Sequence, residues 1–518
     1  MKRARLILPI LSLAILAITA RLMPGLRVID DSYITFRYAR NLLAGQGFAY
    51  NPGETVLGTT TPLYTLLMAA LASFTGGVHA NFPLLAAIVN ALADAGVCIL
   101  LWKIGQRLSL PLAGLTSALL WAIAPYSVTF AIGGLETSLY VFLLTTTAWA
   151  YLQKHRRLTA LAASLALLTR PDAILLLGPI ALDRLIRALR SPQKSEPLQP
   201  AEVFIAILPV LFWYGFAWLY FGSPFPHSVQ AKLAAYRLPP NEALIRLIQH
   251  YATPFLEQNT FSTRWVAIGI WLYPFLYFIG ARRIIRSTPR LWGWLLYPWL
   301  YFAAFTLPNP LIFRWYLTPP LPVYFFGILA GLETILAPVF KPTSMSWRRR
   351  VATALFITLP ILSMLTGWEL HPDHGPDRPA PTMAWFKLEL LYDQAAHLIA
   401  PFLTPNSVLA AGDVGVLGYQ TPARILDTVG LNSAQSLNYY PLDPRYYVIT
   451  YAIAPDLILD EHPDWVVFLE VYGRKSLLQD ERFLSQYTLY HKFETDIYDS
   501  DGLLIYRCNN CPASQPQP

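Results

Sequence analysis

The chain has 518 residues, of which 55% are hydrophobic and only 14% charged, with a mean hydropathy of +0.40. Soluble domains carry about 25% charged residues, so this composition excludes an ordinary soluble globular protein and fits a polytopic α-helical membrane protein. The net charge of +8 does not require a nucleic-acid partner, because Lys and Arg fall in short clusters between apolar runs, as the positive-inside bias demands.

In chain order, MKRAR and the apolar run Leu6–Met23 come first. No clear small-x-small cleavage site precedes the Arg21–Gly25 exit, so the expectation is an uncleaved span with a cytoplasmic N-terminus. Asp30–Pro62 follows at once, DDSYITFRYARNLLAGQGFAYNPGETVLGTTTP. Its aromatic, acidic and basic residues at helical spacing (Tyr33, Phe36, Arg37, Tyr38, Arg40, Asn41) predict a helix lying in the interface. Pro62–Phe74 is apolar but short and reads as a second interfacial helix.

The remaining expected spans are Phe82–Trp102, Leu110–Phe130, Thr137–Leu152, Leu158–Thr169, Ala173–Ile186, Val203–Phe221, Trp265–Gly280, Leu291–Leu307, Tyr316–Phe340 and Val351–Trp368. With about eleven spans in all, the basic clusters fall on one side, which charge asymmetry makes the cytoplasmic one. Asn90 and Asp94, one turn apart, read as interhelical polar glue.

The same parity gathers Asp30, Asp31, Glu54, Glu136, Arg170, Asp172, His227, Lys232 and Arg314 on the outer side, in loops near span ends. Ionisable groups there line cavities and pathways. Each also has a structural alternative: TRPD caps a helix, GLET closes a turn, Lys232 snorkels.

After His371 the texture changes. A helical stretch, Met383–Ile399, precedes β-type runs at Ser407–Ala411, Trp465–Val471 and Leu503–Tyr506, with turn signals between. The reading is a multi-pass membrane domain over 1–368, with its first outer loop at 24–81, and an extracytoplasmic α/β domain over 369–518 with a disordered tail. GDVGVLGY and ILDTVGLN lack phosphate-loop spacing and read as strand–turn segments. Of the three cysteines, Cys98 reads as a core residue, and Cys508 and Cys511 as a local disulfide or two idle thiols.

An exposed carboxylate at a membrane surface, ringed by cations and aromatic faces, suits an anionic lipid-borne sugar. The carboxylate takes a proton from an acceptor hydroxyl as it attacks the anomeric carbon, and the lipid phosphate leaves.

The stretch DDSYITFRYARNLLAGQGFAYNPGE…TTTPLYTLL resembles the first outer loop of the GT-C membrane glycosyltransferases. GGLETSLY, LTRPDAILLL, FGSPFPHSVQAK and FRWYLTPPLP extend the likeness, as does a final domain with GDVGVLGY, ILDTVGLN and PDWVVFLE. The sequence is most similar to the ArnT-like and protein mannosyltransferase-like enzymes (glycosyltransferase family 39-type) and to bacterial arabinofuranosyltransferases. That resemblance implies a polyprenyl-phosphate-sugar donor; a glycan, lipid or protein acceptor; and a plasma-membrane location. It implies Asp30 as general base and Asp31 as the partner that orients the acceptor or helps bind a metal. Where related families carry Asp-Glu, this chain has Asp-Asp. Lys232, His227 and Arg314 are expected at the donor phosphate, and Arg37, Tyr38, Glu54, Glu136, Arg170 and Asp172 around the substrate cavity. Some GT-C enzymes use a divalent cation and others do not, so Mg or Mn stays open. The rival expectation is a lipid-linked sugar flippase, whose ionisable groups would lie nearer the bilayer midplane.

Overall fold

The computed structural model describes residues 4–190, 198–256, 263–340, 346–371 and 378–510. The chain divides into two compact units. The first takes Met1–Arg27, Ala86–Phe212 and Pro240–Trp385; the second takes Val28–Leu85, Trp213–Pro239 and Phe386–Pro518.

Helices make the first unit. Among the described residues, three helices of the chain are by length and composition long and apolar enough to cross a bilayer: Phe82–Arg107, Pro200–Phe221 and Arg264–Ser287. A fourth is added if the bent pair Pro111–Ile123 and Pro125–Ile132 is one span. The span expected over Leu110–Phe130 falls on this pair, whose two halves meet at 44°. Ala124 precedes Pro125 and adopts an extended ψ of 128°, because a proline ring disfavours helical backbone in the residue before it. The stretch Tyr316–Phe340 is likewise subdivided, into a turn at Arg314–Leu317 and helices Leu321–Ile335 and Ala337–Phe340.

Small residues let these helices approach closely. A Cβ on Gly280 would lie 2.1 Å from the Gly327 carbonyl, and one on Gly331 would lie 1.9 Å from that of Leu276. Such contacts replace the hydrophobic effect as the glue between helices in lipid. Polar residues supply the rest. Asp94 accepts from Arg21 Nε (3.0 Å), Trp121 Nε1 (2.9 Å) and Ser138 Oγ (2.8 Å), while Asn90 Nδ2 donates to the Ala131 and Leu135 carbonyls. Both residues thus act as the interhelical glue expected of them. A short antiparallel pair, β1 (Trp368–His371) and β2 (Arg378–Pro381), also belongs to this unit.

The second unit is built on a five-stranded sheet: β3 (Val408–Ala411), β4 (Arg424–Asp427), β5 (Trp465–Leu469), β6 (Tyr487–Phe493) and β7 (Leu503–Cys508). Its order is β4-β3-β5-β7-β6, with β3 parallel to β4 and β5, and β7 antiparallel to β5 and β6. Strands β3 and β5 are buried along their whole length, which explains why VLAA and WVVFL read as unbroken apolar runs. Strand β6 is mostly exposed, so it carries no such run.

Two helices from the first loop, Asp30–Leu43 and Pro62–Ser73, belong to the same unit, as does Lys387–Ile399. The helix expected from Met383 thus starts later. A side chain knits the loop to the sheet region: Asn51 Oδ1 accepts from the Ile425 amide (3.0 Å) and Asn51 Nδ2 donates to its carbonyl (2.9 Å), along β4. GDVGVLGY is corrected from strand–turn: after β3 it forms a short loop and then the helix Gly415–Gln420.

Candidate active site

Asp30 opens the Asp30–Leu43 helix, and its carboxylate is clasped by backbone amides from the far end of the chain. The Gly415 amide donates to Oδ2 at 2.8 Å and the Val416 amide to Oδ1 at 2.7 Å. These are the first amides of the Gly415–Gln420 helix, which no carbonyl within that helix can satisfy. Gly415 is required by the approach: a Cβ there would stand 1.8 Å from the Asp30 carbonyl oxygen and 2.8 Å from its carboxyl carbon. The exposed carboxylate expected from the sequence is thus a buried one, only 8% accessible. The tertiary fold covers what a loop position alone would leave in water.

Three further carboxyls bear on it. The Asp30 amide faces Glu389 Oε1 at 3.4 Å. Asp413, two residues before Gly415, accepts at Oδ2 from Tyr392 (2.6 Å) and Tyr472 (3.3 Å). Asp31 is half-buried beside them. Burial above all, then the charge of Asp413 and to a lesser degree that of Asp31, raises the Asp30 pKa well above the ordinary aspartate range, against the two amide bonds that lower it. Burial likewise pushes Glu389 up to about 7 and Asp413 up to about 6. Among the described residues none of these four carboxyls forms an ion pair with Lys or Arg. Carboxyls held in this state mark candidate functional sites. Glu389, Asp413, Gly415 and Val416 were not among the residues singled out in the sequence. Gly412-Asp413 was legible as a turn, and nothing local connects it to Asp30.

The other candidates of this unit have different partners. Arg37 is buried and donates to the carbonyls of Tyr50 (2.8 Å), Ala423 (3.0 Å) and Gly418, with its guanidinium 4.5 Å from the Tyr50 ring centre. Tyr38 donates to the Val56 carbonyl (2.6 Å) and accepts from the Gly58 amide (2.9 Å). Glu54 pairs with Arg424 and accepts from Asn51 (3.1 Å). All three fasten the first loop to the sheet region. His227 starts the helix His227–Ala235, and its amide donates to the Leu57 carbonyl (2.8 Å). Its half-buried ring has a lowered pKa through burial, and its Nε2 meets no hydrogen-bond partner among the described residues. Lys232 lies on the same helix and is half-buried.

In the first unit the structure joins Glu136, Arg170 and Asp172. Arg170 forks onto Asp172 (Nε–Oδ1 3.0 Å, Nη2–Oδ2 3.2 Å) and reaches Glu136 Oε1 at 3.5 Å. The Tyr140 and Tyr316 rings lie 5.2 and 4.8 Å from its guanidinium. Arg314 is exposed at the start of the Arg314–Leu317 turn. Sequence parity had grouped all these residues, and the fold distributes them over both units.

Among the described residues no three of His, Cys, Asp and Glu gather as metal ligands. Cys98 is buried and free, and Cys508 is disulfide-bonded. Cys511 lies outside the described residues.

A family profile described as a domain of unknown function (DUF8728) matches residues 384–507. The chain is 27% identical over 226 residues to the terminal beta-(1->2)-arabinofuranosyltransferase of Mycobacterium tuberculosis, a match covering 40% of this chain and 35% of that protein. The chain thus spans about a third of that relative's length. Its fold covers all of ArnT from Cupriavidus metallidurans and all of itself at 12% identity, with a TM-score of 0.56 to the apo state and 0.53 to the undecaprenyl phosphate complex. The Archaeoglobus fulgidus oligosaccharyltransferase AglB, in complex with an inhibitory peptide and a dolichol-phosphate, aligns with a TM-score of 0.52 at 11% identity, over 97% of this chain and 74% of its own. The chain therefore has the fold of the GT-C membrane glycosyltransferases.

Proposed function

We propose that this protein is an inverting glycosyltransferase that moves a sugar from a polyprenyl-phosphate carrier to an acceptor hydroxyl on the outer face of the membrane. The observation that carries the reading is the Asp30 carboxylate, buried among other carboxyls and aimed by two amides. Burial and like charge make it a stronger base than an ordinary aspartate, which is what proton removal from a hydroxyl needs. A carboxylate has about four lone-pair sites, and the two amides occupy only two.

In the proposed reaction Asp30 accepts the acceptor's proton as the acceptor oxygen bonds to the anomeric carbon. The bond from that carbon to the phosphate oxygen breaks, its electron pair leaves with the polyprenyl phosphate, and the configuration inverts. Asp31 orients the acceptor. His227 and Lys232, in the same unit as Asp30, are the candidates to balance the phosphate charge. Support for a lipid phosphate comes from ArnT with undecaprenyl phosphate and AglB with dolichol-phosphate, and support for a pentose from the arabinofuranosyltransferase.

The test is transfer by purified protein in lipid from a panel of labelled polyprenyl-phosphate sugars to membrane-extract acceptors, with Asp30→Asn and Asp31→Asn alongside. The expected result is transfer from one donor that Asp30→Asn abolishes. Wild-type turnover in Asp30→Asn would remove the base assignment. Labelled lipid crossing the bilayer without transfer would replace the enzyme by a flippase.

A further inference from the structure

The region 384–507 matches a domain whose function is unknown, and the geometry gives it one. We propose that its Asp413–Val416 turn is the positioning element of the transferase site, holding the Asp30 carboxylate in its working orientation through the Gly415 and Val416 amides. The proposal rests on the transferase reading above.

Four observations carry it. Each Asp30 oxygen takes one amide, at 2.8 and 2.7 Å, so rotation about the carboxylate axis breaks both bonds. The two amides open the Gly415–Gln420 helix and have no acceptor within it, so Asp30 is what satisfies them. The backbone at Gly415 comes so near Asp30 that a single methyl group would overlap its carbonyl oxygen, at 1.8 Å. Finally, the turn is anchored on both sides. Tyr392 and Tyr472 hold Asp413 before it, and Tyr50 donates to the Val414 carbonyl while Arg37 donates to that of Gly418 after it. The first loop and the 384–507 region thus fix one another at the residue proposed to move the proton. A catalytic group locked by its supporting shell keeps its geometry through turnover, and a misplacement of about 1 Å costs on the order of 100-fold. On this view 384–507 completes the catalytic machinery rather than merely covering it.

The experiment uses the full-length protein in lipid. Gly415→Ala is expected to lower kcat about 100-fold with KM for the polyprenyl-phosphate donor changed by less than about threefold, since the added methyl displaces Asp30 and not the donor's phosphate. Val416→Pro removes one amide donor and puts its ring Cδ where that N–H met Asp30 Oδ1, and is expected to lower kcat by roughly tenfold or more. An activity-independent arm follows amide hydrogen exchange in the peptide spanning residues 412–420. Asp30→Ala is expected to accelerate exchange there while peptides of strands β5 and β7 keep their protection.

Unchanged exchange at 412–420 in Asp30→Ala overturns the anchoring, whatever the activity. Accelerated exchange together with near-wild-type kcat in both Gly415→Ala and Val416→Pro overturns the positioning role. If Gly415→Ala does not fold, Val416→Pro and the exchange comparison decide. Absence of transfer by the wild type from every donor overturns the transferase reading, and with it the catalytic meaning of the contact, while the exchange comparison still reports on the contact itself.

Discussion

Two groups of buried and half-buried carboxyls in this protein are kept in opposite ways. In the first unit Glu136 and Asp172 surround Arg170, which forks onto one and touches the other between two tyrosine rings. In the second, Asp30, Asp31, Glu389 and Asp413 come together with amides and phenols but without an ion-pairing Lys or Arg among the described residues. In the first group a guanidinium supplies the counter-charge and fixes the geometry. Amides and hydroxyls orient carboxyls but supply no counter-charge, so burial holds the pKa values of Asp30, Glu389 and Asp413 above the ordinary carboxylate range. The difference separates an anchor from a site able to exchange a proton.

The largest expected effect that tests this contrast is on catalysis. Asp30→Asn should reduce kcat by about 10²- to 10⁴-fold, the range for loss of a general base, with a stability cost of only about 1–3 kcal/mol for the one amide left facing the new NH2 group. Equal losses of activity and melting temperature would make Asp30 an anchor like Arg170. Next comes Arg170→Met, which leaves Glu136 and Asp172 buried without a counter-charge. It should destabilise the fold by about 3–5 kcal/mol in denaturant unfolding, and a change under about 1 kcal/mol would show that the triad is not an anchor.

The third prediction concerns pH. Asp413 has a pKa pushed up from 3.8 to about 6 and Glu389 from 4.5 to about 7, so the folded state binds more protons than the unfolded one across that interval. The contribution of these two carboxyls to stability should therefore be full below about pH 4 and be lost as pH rises to about 7. In Asp413→Asn that fall should shrink by ~3 kcal/mol. The acid limb of kcat/KM should also move to lower pH, because the Asp413 charge that raises the Asp30 pKa is gone. Unfolding titrations and pH–rate profiles check the two parts, and an unmoved profile would detach Asp413 from Asp30. The smallest effect is expected for Glu136→Gln. Its contact with Arg170 is long, at 3.5 Å, so the change should cost ~1 kcal/mol or less, whereas a cost equal to that of Arg170→Met would make Glu136 the main partner.

Much of this contrast was invisible in the sequence for a specific reason. Arg37 and Tyr38 are attractive site residues because aromatic and cationic groups cluster there, yet the structure turns their polar atoms to backbone carbonyls and an amide. A side chain's type does not say whether its partner is a ligand or the chain itself. TRPD and GLET offered only local readings, a cap and a turn, whereas their carboxylates meet on one arginine across 34 residues. The kink at Ala124 was in principle legible, since Pro125 forbids a straight helix there, but an unbroken apolar run outweighed it.

By itself the sequence determined what depends on neighbours along the chain. Apolar length marked the membrane character, the buried runs marked strands β3, β5 and β7, and the double aspartate after the first apolar segment marked where to look. Only the tertiary structure decided which groups meet Asp30. Its amide partners lie 385 and 386 residues away, and it is buried. Hydrogen bonds and desolvation depend on distance in space, and a linear pattern carries that information only when the two groups are also close in the chain.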